Sequence, residues 1–374
     1  MTNKLRLTTA IMGSLAGLGL SAAVAQTTVS GNASFGFFAG STDATTRDGS
    51  FSSMTKETQI NLATKGKLNN GMNYAAGFSL EFDGPDTAST DMYAEGNYIE
   101  ISSGDTTFHV GADRIQNGDI HLSNAAGIGY IGQDGLGAGG TAITVAGGRS
   151  IFPLHGSIYS YMGTGITQKV GNGNLSVYYV PAQATSALND IANGAQAVDG
   201  KSTSASSSGS AYEIGYKGDL GVKGLSAIAF YTSGDKRFEF NPLDKKPKTT
   251  NIGAAYNVGA VTVSAQQITT EGVQGGYGIN AASGATNGGL SEELKGQSVG
   301  IAYAASKDLT LGLAYGKADS NAALSIRDEK TTIASIGYSL GAVGIKAQVA
   351  DVENYAGLAN NDGKTAKILM FTSF

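Results

Sequence analysis

Apolar and polar residues alternate one by one in short runs along most of the chain. Between residues 72 and 83, Phe78 and Leu80 fall on one side of an extended strand, whereas Glu81 falls on the other. The same alternation recurs over residues 211–217, 251–258, 309–317 and 343–351. A period of two residues predicts β-strands that have one apolar and one polar face.

The runs and the turns between them predict sixteen antiparallel strands. The predicted ranges are residues 27–38, 55–66, 72–82, 92–102, 106–113, 155–170, 175–181, 209–217, 222–233, 248–258, 260–269, 296–305, 308–317, 329–340, 343–351 and 364–374. The even number brings both ends of the chain to the same side. Sixteen strands in a closed barrel leave an aqueous channel, whereas eight would be filled by side chains.

Periodicity alone does not separate a membrane barrel from a soluble sandwich, but two further features favour the barrel. Tyrosines recur near strand ends on the apolar face, as in an interfacial aromatic girdle; they are Tyr74, Tyr216, Tyr256, Tyr303, Tyr315 and Tyr338. Tight turns also alternate with long polar loops along the chain. Short turns on one side and long loops on the other are typical of outer-membrane barrels.

The N-terminus has the three parts of a secretory signal. Lys4 and Arg6 form a positive region, residues 7–20 are apolar or small, and residues 23–25 form a small-x-small cleavage site. The alternative, an anchoring helix, fails because the apolar run is too short for about 30 Å of hydrocarbon. We therefore expect residues 1–25 to be removed and residues 26–374 to form a single barrel domain.

Composition excludes several other classes of protein. The chain has no Cys, which excludes a small disulfide scaffold. After the leader no apolar run reaches 18 residues, which excludes a helical membrane protein. The leader holds two of the 25 basic residues and none of the 30 acidic ones, so the mature chain has a net charge of about −7. This acidic balance argues against nucleic acid as a partner.

The alternation stops for about forty positions between residues 113 and 153. An interruption of this length inside a regular β chain is usually functional or disordered. We expect residues 114–153 to be the long third external loop, folded into the barrel as a constriction. Its candidate charged residues are Asp113, Arg114, Asp119, Asp134 and Arg149. The aspartates would act on permeating ions, while the arginines could hold the loop to the wall.

Strand parity predicts which charged side chains point into the lumen. They are Glu57, Glu81, Glu100, Glu213, Lys169, Lys217, Lys346 and Lys367. A lysine on the lipid face at mid-membrane would cost about 2–4 kcal/mol, so the lumen is the favourable side. Opposed charges on loop and wall would create a transverse field that selects ions by sign. The acidic balance predicts a weak preference for cations.

The last strand ends in Phe374, with apolar residues at alternate positions behind it. It resembles the C-terminal strand of Gram-negative outer-membrane proteins, which the barrel assembly machinery recognises. Thr372 departs from that pattern, which usually has Tyr or another large apolar residue there. Residues 97–113 are similar to the fourth strand, short turn and fifth strand of general diffusion porins, especially those of alphaproteobacteria.

The resemblance implies a homotrimer in the outer membrane, surrounded by lipid and lipopolysaccharide and permeable to small hydrophilic solutes. Other functions stay open at this point. They are a secreted or surface structural β protein of the adhesin type, a substrate-specific channel of sixteen or eighteen strands, and a barrel hydrolase using His109, His121 or His155. No cofactor is expected. Adventitious calcium binding could involve the loop carboxylates Asp43, Asp48, Asp83, Asp86 and Asp91.

Overall fold

The computed structural model describes residues 26–42, 49–84, 93–111, 162–181, 210–235, 246, 248–271, 293–320, 327–354 and 362–374. Their regular structure consists of sixteen β-strands. The strands are β1 (Gln26–Thr42), β2 (Gly49–Lys67), β3 (Asn73–Gly84), β4 (Tyr93–Ser103), β5 (Thr106–Gly111), β6 (Gly163–Val170), β7 (Gly173–Val180), β8 (Ala211–Gly218), β9 (Leu225–Gly234), β10 (Lys248–Val258), β11 (Val261–Glu271), β12 (Glu293–Ala304), β13 (Leu309–Ser320), β14 (Glu329–Ser339), β15 (Val343–Glu353) and β16 (Gly363–Ser373). In the part of the chain that is described, no helix is long and apolar enough to cross a membrane.

The strands form one closed barrel in which each strand pairs antiparallel with its neighbours in sequence. Closure is completed between β1 and β16, which pair from Asn32 with Ser373 to Thr42 with Gly363. Beyond this ladder, Gly31 donates a backbone hydrogen bond to Phe374 at 2.8 Å and accepts one from it at 3.0 Å. The last residue of the chain therefore closes the seam, and the barrel has no unpaired edge strand.

All sixteen predicted strands are present, although some boundaries differ from the prediction. The β1–β2 hairpin is longer than predicted. The prediction ends the first strand at residue 38 and begins the second at residue 55, whereas the two strands pair as far as Thr42 and Gly49. The described strand β6 begins at Gly163, and residues 155–161, which the prediction included, lie outside the described part. These differences lie at the end of the barrel opposite the short turns. At that end the side-chain alternation no longer marks where the strands stop.

Both described chain ends and seven short connections lie at one end of the barrel, called here the short-turn end. The connections are residues 68–72, 104–105, 171–172, 219–224, 259–260, 305–308 and 340–342. Two-residue turns contain glycines with positive φ, such as Gly104 at 56° and Gly171 at 58°, which suits tight hairpins. The strand ends that the other eight connections join lie at the opposite end, and the longest of these connections runs from Gly111 to Gly163.

The two faces of each strand differ as the alternation predicts. On β8, Tyr212 and Ile214 are 47% and 44% exposed on the outside, while Glu213 between them is fully buried. The outward surface is dominated by large apolar side chains, including Val299, Leu313, Ile368 and Met370. A soluble protein would bury such residues, whereas a barrel in lipid exposes them.

Outward-facing tyrosines occur at two levels of the barrel. Tyr256, Tyr303 and Tyr338 are exposed near the short-turn end. Tyr179 and Tyr212 are exposed near the opposite ends of β7 and β8. Because tyrosine has an apolar ring and a polar hydroxyl, these two levels fit the two boundaries of a membrane.

Candidate functional site: the inner wall of the barrel

A row of hydrogen-bonded side chains crosses the inner wall from β4 to β7. The Nδ1 atom of His109 lies 3.2 Å from Oε1 of Glu100, and its Nε2 atom lies 3.0 Å from Oγ1 of Thr167. That Oγ1 atom lies 3.1 Å from the Tyr178 hydroxyl. The four residues, one from each of four adjacent strands, are called here the β4–β7 row. The side chains of His109 and Glu100 are 11% and 26% exposed.

Glycine opposite an aromatic ring makes room for this row. Gly165 pairs with both His109 on β5 and Tyr178 on β7. A Cβ atom at Gly165 would overlap the Tyr178 ring. The ring instead lies across β6 and meets the His109 ring edge-on, with centroids 5.9 Å apart. The sequence thus positions the Tyr178 hydroxyl by omitting a side chain on the neighbouring strand.

A β-bulge in β4 adjusts the face on which its residues lie. Gly77 pairs with Tyr98, but Ser79 pairs with Glu95, so β4 contains one extra residue between these pairs. Gly96 has a φ of 58°, which a glycine adopts without steric cost. Alternation counted back from Glu100 would place residue 95 on the outer face. Because the bulge adds one residue, the backbone of residue 95 instead has the register of the inner face. Glycine within a predicted strand was the available sequence signal for this feature.

Two buried side chains of opposite charge lie on opposite sides of the inner wall. Glu213 on β8 is fully buried and accepts a hydrogen bond from Thr232 at 3.1 Å. Lys367 on β16 is 3% exposed. β8 and β16 are eight positions apart in the closed order of sixteen strands, and so they lie on opposite sides of the barrel. Lys346 on β15 places its Nζ atom 5.1 Å from the centre of the Phe371 ring, within cation–π range.

Between these regions the inner wall is uncharged. The inward side chains described on β10 to β13 are hydroxyl, amide, aliphatic or glycine residues. Gln266 donates a hydrogen bond to Asn251 at 2.6 Å, and Thr249 and Thr270 are hydroxyl partners at 3.4 Å. The described wall is therefore electrostatically uneven, with its charges on β2 to β8 and on β15 to β16.

Ion pairs occur on the outer face, toward the end opposite the short turns. Lys317 and Asp328 are 2.7 Å apart, and Lys330 and Glu353 are 3.2 Å apart. Two further pairs, Lys248–Glu271 and Asp351–Lys364, are 3.5 Å apart. These eight residues are called here the outer collar. Each pair is partly exposed and adds little to stability, but together they mark where the apolar outer surface ends.

A sequence model of the family described as Gram-negative porin matches residues 8–275. The chain belongs to the Gram-negative porin family. It is accordingly a passive channel of the outer membrane and not an enzyme. No curated protein sequence matches this porin.

Solved structures of porins share the fold of the chain. A multiple mutant of the Rhodopseudomonas blastica porin matches with a TM-score of 0.56 and 13% identity, covering 93% of this chain and 100% of that one. A triple mutant of the same porin matches with a TM-score of 0.55 and 14% identity over the same shares. OmpT of Vibrio cholerae matches with a TM-score of 0.55 and 9% identity, covering 95% and 99%. At these identities the likeness concerns the fold alone.

The pore-lining residues predicted for this porin fall into three groups. Glu81, Glu100, Glu213, Lys346 and Lys367 lie on the inner face at buried or half-buried positions. Lys169 and Lys217 have inward register but are exposed beside short turns. Glu57 lies in β2 opposite Ser34, and its side chain is outside the described part.

The predicted constriction loop, residues 114–153, lies outside the described residues, as do His121 and His155. The same holds for its candidate residues Asp113, Arg114, Asp119, Asp134 and Arg149. Among the residues that are described, no group of three or more metal-binding side chains occurs.

Sequence reasoning missed Thr167 and Tyr178 as partners of His109. Alternation in β7 places one of the adjacent tyrosines, Tyr178 and Tyr179, on each face. It does not indicate which hydroxyl meets which strand, because that depends on the register of β5 with β6 and of β6 with β7.

Proposed function

We propose that this porin forms a water-filled channel for passive diffusion of small hydrophilic solutes and ions, with a weak preference for cations. The observation that carries the proposal is the closed barrel of sixteen strands, whose inner face is polar and partly charged while its outer face is apolar. Charged groups on the wall of an aqueous passage sort permeating ions by sign. Since glutamates and lysines are both present on the described wall, the preference should be small.

We further propose that residues 114–153 act as the constriction loop. The segment lies between β5 and β6, and its position after the fifth strand matches the loop that narrows the pore in the porins it resembles. Asp119 and Asp134 would supply negative charge to the passage, with Asp113 at the loop root. Arg114 and Arg149 would pair the loop with carboxylates of the wall.

The reversal potential of the reconstituted channel in a salt gradient tests this function. We expect a potential of the sign that indicates weak cation preference, and a clear anion preference would contradict the proposal. Replacing Asp119 and Asp134 by Asn removes two negative charges without a large change of shape. The double variant should shift the potential toward anions; unchanged ion ratios would exclude these residues from the filter.

The proposal includes the partners of the channel. We expect removal of residues 1–25 during export to the periplasm, insertion by the barrel assembly machinery through the strand that ends at Phe374, and assembly into homotrimers. The outer collar supports contact with lipopolysaccharide, because its alternating lysines and carboxylates suit a layer of phosphate groups and bound divalent cations. No bound cofactor is needed for passive diffusion.

A further inference from the structure

His109 is the centre of the β4–β7 row, and its contacts define where its proton lies. The ionised carboxylate of Glu100 can only accept a hydrogen bond, so the Nδ1 atom of His109 carries a proton. In the neutral imidazole the Nε2 atom is then an acceptor, and Thr167 donates to it. The Thr167 oxygen in turn accepts from the Tyr178 hydroxyl. With neutral His109, every hydrogen bond in the row points toward Glu100.

The same geometry also accommodates a protonated His109. Both ring nitrogens are then donors, so Nε2 donates to the Thr167 oxygen. Rotation of the Thr167 hydroxyl then lets it donate to the Tyr178 oxygen. All three contacts are kept: Nδ1 of His109 still donates to Glu100, while the two hydrogen bonds on the Nε2 side reverse their direction. No heavy atom has to move. The net charge of the Glu100–His109 pair changes from −1 to zero, so the two protonation states differ mainly in their electrostatic effect on the lumen.

Within the described residues, the charged and titratable groups that face His109 come from two strands. Glu100 faces it from β4 and Tyr178 from β7. Its neighbours on β6, Thr167 and Gly165, carry no charge. The Glu100 side chain is 26% exposed, more than that of His109. A change in the charge of the pair is therefore felt in the aqueous space and not only inside the wall.

We propose that His109 makes the ion selectivity of this channel depend on pH. The inference rests on the proposed function, because it requires the inner wall to line the permeation path. Histidine is the side chain that ordinarily changes charge between about pH 5 and 8. When His109 is neutral, Glu100 adds one negative charge to the wall and favours cations. When His109 is protonated, the pair carries no net charge, and the preference for cations weakens.

The test uses a parent variant in which His109 is the sole histidine. The chain has three histidines, so replacing His121 and His155 by Asn gives this parent. Its reversal potential is measured in a potassium chloride gradient at about pH 8 and about pH 5.5, a window that brackets imidazole titration. We expect the cation-to-anion permeability ratio to fall roughly two-fold, as for one charge near a water-filled passage.

Two additional substitutions separate the role of charge from that of structure. Adding His109→Asn to the parent keeps an amide donor for Glu100 but removes the titration, so the ratio should be equal at both pH values. Adding Glu100→Gln removes the negative charge directly. At about pH 8 this variant should have the ratio that the parent has at about pH 5.5, because the net charge of the pair is zero in both.

The outcomes distinguish this inference from the function on which it rests. Absence of conductance at any pH, from protein that has the heat-modifiable mobility of a folded barrel, would overturn both. Conductance with a pH-independent ratio in the parent would overturn only the role of His109. Persistence of the two-fold fall after His109→Asn would overturn it as well. Titration of the His109 ring followed by NMR with labelled histidine provides a readout that does not depend on conductance.

Discussion

At the scale of single residues, the inner wall combines glycine with large aromatic rings on neighbouring strands. Gly165 accommodates the Tyr178 ring and Gly215 accommodates the Phe230 ring. Glycine in a strand normally costs conformational entropy and packing. Covering it with a neighbouring ring restores contacts and fixes the rotamer of the aromatic residue. Side chains that reach across a strand, such as Tyr178, are thereby held in one position.

Gly165→Ala should destabilise the barrel, because the new methyl group overlaps the Tyr178 ring. We expect a loss of about 1–3 kcal/mol in the free energy of unfolding, the usual range for overpacking. In a Tyr178→Ala background the same substitution should cost less, since the ring is absent. Denaturant unfolding in lipid vesicles is measured for the parent, the two single variants and the double variant. These four free energies of unfolding give the coupling energy between positions 165 and 178. Additive effects would show that the ring does not depend on Gly165.

At the scale of elements, the alternation predicts the strands because lipid and water impose opposite demands on successive residues. On β8, Tyr212 and Ile214 face outward while Glu213 faces inward, and no other register satisfies both solvents. This demand ends beyond the membrane. The β1–β2 ladder continues to Thr42 and Gly49 through hydroxyl-rich sequence that carries no such alternation, and so its extent could not be predicted.

The inner site could be predicted only in part. Parity predicts an inward side for Glu100, Glu213 and Lys367, because a charge on the lipid face is costly. It does not predict hydrogen-bond partners, which depend on the register between three or four strands. The β4 bulge at Gly96 changes that register by one residue. A glycine signals that a bulge is possible, but the side chains on both strands decide whether it forms.

The seam between β1 and β16 provides a prediction about closure. Deleting Phe374 removes both backbone hydrogen bonds with Gly31. We expect a loss of about 1–3 kcal/mol in the free energy of unfolding relative to Phe374→Ala, at roughly 0.5–1.5 kcal/mol for each bond. The Ala variant is the matched control, since it lacks the ring but keeps the backbone pair. Denaturant unfolding in vesicles compares the two; equal stability would mean that the terminal pair does not contribute to closure.

At the scale of the whole molecule, the barrel separates three surfaces with different chemistry. The apolar outer surface carries tyrosines at two levels, including Tyr212 and Tyr303. The outer collar of ion pairs lies beyond it, toward the end opposite the short turns. The inner wall carries charges on β2 to β8 and on β15 to β16, and none on the described inward positions of β10 to β13. A porin needs all three at once, because one chain contacts lipid, headgroups and the aqueous passage.

Single-channel recording in planar bilayers tests the central claim most directly. Refolded protein comprising residues 26–374 is added at low concentration in symmetric potassium chloride. We expect discrete and lasting conductance steps that increase in proportion to the salt concentration, as for a water-filled passage through a closed barrel. Folded, heat-modifiable protein that inserts into the bilayer but gives no such steps would contradict the account.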